Sequence, residues 1–219
     1  MKQYKLAILD FDGTLADTKK VIIKTMHDTL RSLALPGRTD ADIAATIGLP
    51  LDEAFQRLAP GGIQQAQRCA AEYRRIFAVN NRPGIVGLFP GVADTMRLLH
   101  RQSIQLAIAS SRGHESLDGY VSTFGFESCV GLVIGADDVQ RAKPDPQPVE
   151  IILAHYGMQP TEAVVVGDTA FDILMGRRAG CDTVGVTYGN GSRQQLADSH
   201  ATHIIDSFGQ LAPIVLGQQ

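Results

Sequence analysis

Tyr4-Lys5-Leu6-Ala7-Ile8-Leu9-Asp10-Phe11-Asp12-Gly13-Thr14-Leu15 is the stretch on which the fold turns. Residues 4–9 make a compact, mostly apolar run, the pattern of a strand covered on both faces. Two carboxylates stand at its carboxyl end, the edge where open α/β sheets bind ligands. Asp10 and Asp12 are two apart, so an extended chain directs both to one side. Carboxylates forced together repel unless a cation or a shared proton relieves them. The spacing suits a metal site in which one carboxylate attacks and the other exchanges a proton. It suits a plain polar turn as well, since Asp-Gly is a common turn dipeptide.

Working outward, further buried-strand runs are predicted at 105–109, 130–134, 163–166, 183–186 and 203–205. Helices are predicted between them: 92–100, 146–156 and 171–179, the last followed by Gly180. Asp145-Pro146 reads as the cap and first residue of the second of these, and Gly157 as the residue beyond its end. Alternating strands and helices imply an α/β fold with a parallel sheet. More than ninety residues separate the first strand from the strand at 105, far more than a crossover needs. That stretch offers no strand. Ile22, Met26, Leu30 and Leu33 recur at helical spacing, and Pro36-Gly37, Pro50, Pro60-Gly61-Gly62 and Arg82-Pro83 punctuate it. Residues 17–82 are read as a small all-helical domain inserted into a core made of 1–16 and 83–219.

The whole chain has 219 residues, 44% of them apolar, with a net charge of -3. That balance disfavours nucleic acid as a partner, and Arg74-Arg75 and Arg177-Arg178 read as solvated helix faces. Cys69, Cys129 and Cys181 are odd in number and widely spaced, which supports neither a disulfide framework nor a zinc site. Cys129 and Cys181 border apolar runs and read as small buried hydrophobes. The opening apolar run is too short for a secretory leader or a membrane span, so a cytoplasmic location without membrane contact is expected.

Three more groups carry possible chemistry. Gly167-Asp168-Thr169-Ala170-Phe171-Asp172 follows a predicted strand, with Asp172 one helical turn beyond Asp168. Helix capping by Asp168 and charge–dipole placement of Asp172 would explain the same residues. Ser110-Ser111 ends the strand at 105–109, where a hydroxyl and free N–H groups suit a phosphoryl oxygen or simply a helix start. Lys143, set in Ala142-Lys143-Pro144-Asp145-Pro146, can present one point charge to a phosphate.

In this order, and with the helical insertion after the first motif, the chain resembles the haloacid dehalogenase superfamily with a helical cap. The matching motifs are Asp10-Phe11-Asp12-Gly13-Thr14-Leu15, Ser110, Lys143 and Gly167-Asp168 with Asp172. The resemblance implies a Rossmann-like parallel-sheet core and a Mg²⁺-dependent phosphatase. It implies that Asp10 is nucleophile and metal ligand, and that Asp12 is general acid/base and binds the metal through its backbone carbonyl. It makes Ser110 a phosphoryl-binding group, Lys143 the neutraliser of charge beside Asp10, and Asp168 a metal ligand, with Asp172 supporting the metal directly or through water. Thr14, in the hinge beside the nucleophile loop, Ser111 and Arg112 are the substrate-binding candidates.

Within the superfamily, Asp12 favours phosphoryl chemistry over dehalogenation. Gly167-Asp168-Thr169 stands where a β-phosphoglucomutase-like enzyme would carry Glu-Asp-Ser, and is similar to phosphoglycolate phosphatases and related pyrophosphatases. A phosphonate hydrolase would need a cap lysine in an apolar setting, which Lys19, Lys20 and Lys24 lack. The expected substrate is a small phosphorylated metabolite, phosphoglycolate first, with pyrophosphate or a phosphosugar mutase reaction as alternatives, and the protein a monomer or homodimer. Residues 47–50 look like the cap's specificity loop. Arg38, Lys24 and Arg112 are candidates to meet a substrate carboxylate or second phosphate, although each reads more readily as a surface residue. His114 is the histidine closest to the second motif, and the glycine-rich 185–192 lacks the lysine of a nucleotide-binding loop.

Overall fold

Buried runs of four or five residues pair side by side because a strand covered on both faces must satisfy its backbone groups within the sheet. The structure, a computed structural model, describes residues 2–82 and 84–218; Pro83 of the Arg82-Pro83 breaker lies outside the described residues. In chain order the elements begin with β1 (Leu6–Leu9), β2 (Ala16–Asp17), α1 (Lys19–Ser32), α2 (Asp40–Ala44), α3 (Leu51–Leu58), α4 (Gly62–Asn80) and β3 (Gly87–Leu88). They continue with α5 (Val92–Arg101), β4 (Gln105–Ala109), α6 (His114–Thr123), β5 (Val130–Ile134) and α7 (Gln147–Tyr156). The last are β6 (Ala163–Gly167), α8 (Ala170–Arg178), β7 (Asp182–Val186), α9 (Arg193–Asp198), β8 (His203–Ile205) and α10 (Leu211–Leu216).

Six strands form one sheet in the order β5-β4-β1-β6-β7-β8, and each pairing is parallel. The fold is α/β. Successive residues of β1 face opposite sides. Leu6 and Ile8 join Ala107, Ala109 and Val165 under Val149, Ile152 and Leu153 of α7 and Met175 of α8. Ala7 and Leu9 join Leu106, Ile108, Val164 and Val166 on the other face, against Val92, Met96 and Leu99 of α5 and Leu117 of α6. The strand order reverses at β1, which has β4 on one side and β6 on the other. Such a switch point is where a crevice opens beyond the carboxyl ends of the strands.

Helices α1 to α4 fill the long stretch between β1 and β4, with α1 and α3 both packed on α4. The helical spacing in α1 has its expected result: Ile22, Met26 and Leu30 are buried. Phe55 of α3 meets Tyr73 edge-on at 6.1 Å, and Tyr73 stacks on Phe77 at 5.6 Å, both on α4. No helix among the described residues is long and apolar enough to cross a membrane.

Two expectations change. The region thought to lack strands contains β2 and β3, which pair antiparallel with each other, Ala16 opposite Leu88 and Asp17 opposite Gly87. Two residues are too few to show a period of two, so they leave no pattern to read. Helix α7 begins one residue late, with Pro146 in the cap position rather than the first helical one. The Asp145 carboxylate still receives the N–H of Gln147 at 3.0 Å, so it caps from one position further back.

Candidate active site

The carboxyl ends of β1, β4 and β6, neighbours in the sheet, bring the candidate residues together. Asp10 follows β1 directly. The chain then turns tightly, with the N–H groups of Thr14, Leu15 and Ala16 all directed to the carbonyl of Phe11. Gly13 permits this turn at φ 93°. A side chain there would also collide with Asp168, whose Oδ2 lies 2.2 Å from where a Cβ would stand.

Lys143 Nζ, buried, donates to Asp10 Oδ1 and to Asp172 Oδ1, both at 2.6 Å. Asp172 is held from its other oxygen by a capping box at the start of α8. Its Oδ2 accepts from the Thr169 N–H at 3.0 Å and the Thr169 hydroxyl at 2.7 Å. Thr169, not Asp168, is therefore the residue that caps this helix. The Asp168 carboxylate instead accepts from the Thr14 hydroxyl at 3.3 Å and from the backbone N–H of Asn190. Oxygens of Asp10, Asp168 and Asp172 lie within 4.8 Å of one another.

Three buried carboxylates thus face one ammonium. Burial pushes the Asp10 carboxyl up to about 7; Lys143 pulls against that rise while Asp172 and Asp12 add to it. Asp168 rises well above the ordinary carboxylate range, through burial first and then the charges of Asp10 and Asp172. The Lys143 ammonium is held charged: burial opposes it, but Asp10 and Asp172 together outweigh burial. The cluster is short of positive charge and offers only oxygen donors. A hard divalent cation matches both properties, and Asp10 and Asp168, with Asp172 beside them, are the side chains that would hold it.

Asp12 points elsewhere. Both of its carboxylate oxygens accept from Arg112, from Nε at 3.0 Å and from Nη2 at 2.6 Å. Its side chain is outside the three-carboxylate cluster, and its backbone oxygen faces Asn190 Nδ2 at 3.4 Å. The two carboxylates expected on one side of the loop are near enough for Asp12 to push Asp10 up, and each has its own cation, Lys143 for Asp10 and Arg112 for Asp12. Arg112 is no surface residue, its side chain being 8% exposed. The guanidinium lies 4.7 Å from the ring centre of Phe77 and 5.3 Å from that of Tyr120. Burial works against its charge, but Asp12 more than compensates and holds it fully ionised.

The remaining candidates divide. The buried Ser110 hydroxyl accepts the Arg112 backbone N–H at 3.3 Å. Ser111 was expected beside substrate; its hydroxyl donates to the Gly48 carbonyl at 2.7 Å and so ties the 47–50 loop to the core. Thr14 is fully buried and orients Asp168 instead of facing a ligand. Lys24 pairs with Asp28, and Arg38 donates to the Leu58 carbonyl at 2.6 Å. His114 is paired to Asp138 at the exposed start of α6.

Sequence reading missed the 188–191 loop. Tyr188 donates its hydroxyl to the Thr14 carbonyl at 2.9 Å, and Asn190 serves Asp168 and Asp12 as described. Gly189 presses on the cluster so closely that a Cβ there would lie 2.3 Å from Asp168 Oδ2. The glycine richness of this stretch was the available signal. Gly189→Ala is expected to cost about 1–3 kcal/mol by overpacking, and to weaken divalent-cation binding as Asp168 is displaced. Thermal unfolding with and without added cation checks both effects.

Residues 7–186 match the haloacid dehalogenase-like hydrolase family. The chain belongs to that family. Among its relatives, a Dickeya dadantii protein named probable phosphatase IndB is 35% identical over 94% of this chain and 91% of its own. The pyrophosphatase PpaX of Anoxybacillus flavithermus is 30% identical over 95% of each chain. A solved haloacid dehalogenase-like hydrolase structure from Bacteroides fragilis superposes with a TM-score of 0.90 at 28% identity, covering 95% of this chain and 100% of that one. A predicted phosphoglycolate phosphatase from Haemophilus somnus superposes with a TM-score of 0.88 at 25% identity, covering 98% and 99%.

Proposed function

We propose that this hydrolase is a phosphatase that transfers a phosphoryl group from a small metabolite to Asp10 and then to water, with Mg²⁺ as its cofactor. The observation that carries the reading is the buried Asp10 carboxylate, fixed by Lys143 inside an oxygen cluster short of positive charge, with a second carboxylate, Asp12, held separately nearby. Mg²⁺ supplies charge compensation for a carboxylate that must approach a phosphate dianion. In the first half-reaction Asp10 forms a bond to phosphorus while the bond from phosphorus to the ester oxygen breaks. Asp12 gives its proton to that departing oxygen. In the second, Asp12 takes a proton from water as the water oxygen bonds to phosphorus and the Asp10–phosphorus bond breaks. Lys143 stays charged throughout and offsets the negative charge gathering beside Asp10. Ser110 sits at the end of β4 to receive a phosphoryl oxygen.

The 47–50 loop, tied to Ser111, supports a closed helical cap that admits small substrates. Phosphoglycolate is the substrate we favour, on the Gly167-Asp168-Thr169 pattern and the likeness to the Haemophilus somnus structure. Pyrophosphate is the second reading, favoured by the name of the Anoxybacillus relative. Phosphate release should need Mg²⁺, stop with a chelator and recover poorly with Ca²⁺, whose taste for more and bidentate carboxylate ligands ties up the attacking oxygen. A panel of small phosphates, with phosphate and organic product both measured, should rank phosphoglycolate first by kcat/KM. Full activity in chelator counts against the site, and an isomeric product without free phosphate would make the enzyme a mutase.

A further inference from the structure

Arg112 serves neither the metal cluster nor the reacting phosphorus, yet it holds the group that must move a proton. Both Asp12 oxygens accept guanidinium N–H groups, at 3.0 and 2.6 Å. Side-chain exposure is 8% for Arg112 and 14% for Asp12, so water competes little for either. The guanidinium is walled by Phe77 of α4, Tyr120 of α6 and Phe11 beside the nucleophile. Its Nη1 also donates to Ser116 at 3.2 Å.

This pairing suits a resting carboxylate and opposes a working acid. To serve the departing oxygen, one Asp12 oxygen must carry a hydrogen and turn to that atom. The fork takes one lone pair from each oxygen and fixes the plane of the carboxyl, so the group cannot turn toward that atom without breaking a guanidinium N–H bond. Arg112 therefore has to release at least one Asp12 oxygen during turnover. A buried guanidinium left without an anion is costly, so its replacement partner must also be an anion, ideally one with two forked oxygens. Because Arg112 touches Asp12, that anion must lie close to the departing oxygen.

We propose that Arg112 is the specificity-determining residue: it exchanges Asp12 for a second oxyanion of the substrate, adjacent to the departing oxygen, and the exchange frees Asp12 to act. The inference rests on the phosphatase reading and narrows its substrate class to small phosphates with a neighbouring anionic fork. The carboxylate of phosphoglycolate and the second phosphoryl group of pyrophosphate both have that chemistry. A neutral alcohol leaving group does not, and leaves Asp12 held.

The test compares phosphoglycolate, pyrophosphate and 2-hydroxyethyl phosphate, which keeps the length of phosphoglycolate without its carboxylate, on wild type, Arg112→Ala and Arg112→Lys. With Arg112→Ala, kcat/KM for phosphoglycolate should fall about a hundredfold, the usual scale for truncating one partner of a buried charge pair. On 2-hydroxyethyl phosphate, kcat should instead rise about three- to tenfold, as the fraction of enzyme with Asp12 free increases. Arg112→Lys keeps a charge but cannot grip two oxygens, and should fall between the two on both substrates. Whichever of phosphoglycolate and pyrophosphate loses more on Arg112→Ala is the anion the fork was built for. An equal fall on charged and neutral substrates in both variants would reduce Arg112 to a scaffold for Asp12 and overturn the proposal. An unmoved or lower kcat on the neutral substrate would overturn the exchange. If wild type hydrolyses no phosphate ester at all, the phosphatase reading itself fails, a result distinct from either.

Discussion

Asp10→Asn is expected to lower turnover by on the order of a millionfold, the scale seen when an enzyme loses its nucleophile, while the protein stays folded. The amide keeps the shape of the side chain, and its oxygen can still accept from Lys143 Nζ, which now donates to Asp10 Oδ1 at 2.6 Å. What it loses is a negative charge and the ability to bond to phosphorus. Removing one of three carboxylates that crowd a single ammonium relieves repulsion, so the metal-free melting temperature should hold or rise. Loss of activity with loss of fold would therefore contradict the electrostatic picture of the cluster. Asp12→Asn should also be severely slow, for another reason. It retains the nucleophile, so with a leaving group that needs no proton, such as nitrophenolate, some phosphoenzyme should form and then hydrolyse slowly. Mass spectrometry of the quenched protein should find the phosphate on Asp10, and a phosphate on any other residue rejects the assignment.

Lys143→Ala should damage stability and chemistry by separable amounts. Without it Asp10 and Asp172 lose the ion pairs they share, and breaking a buried pair from one side costs about 3–5 kcal/mol. Chemistry should lose a further contribution on the order of 2–4 kcal/mol in the barrier, by analogy with a lost oxyanion donor. Added Mg²⁺ should restore much of the stability, since it supplies the missing positive charge to the same carboxylates. It should restore little of kcat, because the ammonium beside Asp10 is still gone. Urea unfolding and single-turnover rates, each with and without Mg²⁺, separate the two. Equal recovery of both would mean that Lys143 acts only as a counter-charge for folding.

The parallel sheet was legible because its strands are short apolar runs between breakers. The runs at 105–109, 130–134 and 203–205 coincide with β4, β5 and β8. The pair β2 and β3 was not legible, since two residues carry no periodicity. At the site, the carboxylates and Lys143 could be picked out because each is a chemically distinctive side chain beside a strand end. Arg112 misled because its surroundings in the sequence, Ser110-Ser111-Arg112-Gly113, look like a solvated loop. Its burial comes from Phe77 and Tyr120, supplied by two helices that the sequence does not link to it. Asn190 was marked only by the glycines on either side of it. It contributes a backbone N–H to Asp168, and a backbone group has no sequence signature. Thr14 and Ser111 were read as groups that would meet substrate, whereas their hydroxyls are spent on Asp168 and Gly48.

The groups that converge on Asp168 come from positions 14 and 190, far apart in the sequence. Strand β1 lies in the middle of the sheet, and both of its neighbours are made much later, β4 after the whole helical insertion and β6 later still. A growing chain therefore carries Asp10 well before it gains Lys143, Asp168 and the 188–191 loop. Contacts this distant in sequence form late and slowly. Until 105–109 is made, β1 has no sheet partner, while α1, α3 and α4 already have one another to pack against. A chain cut short before residue 190 keeps Asp10 but lacks part of the cradle that holds Asp168.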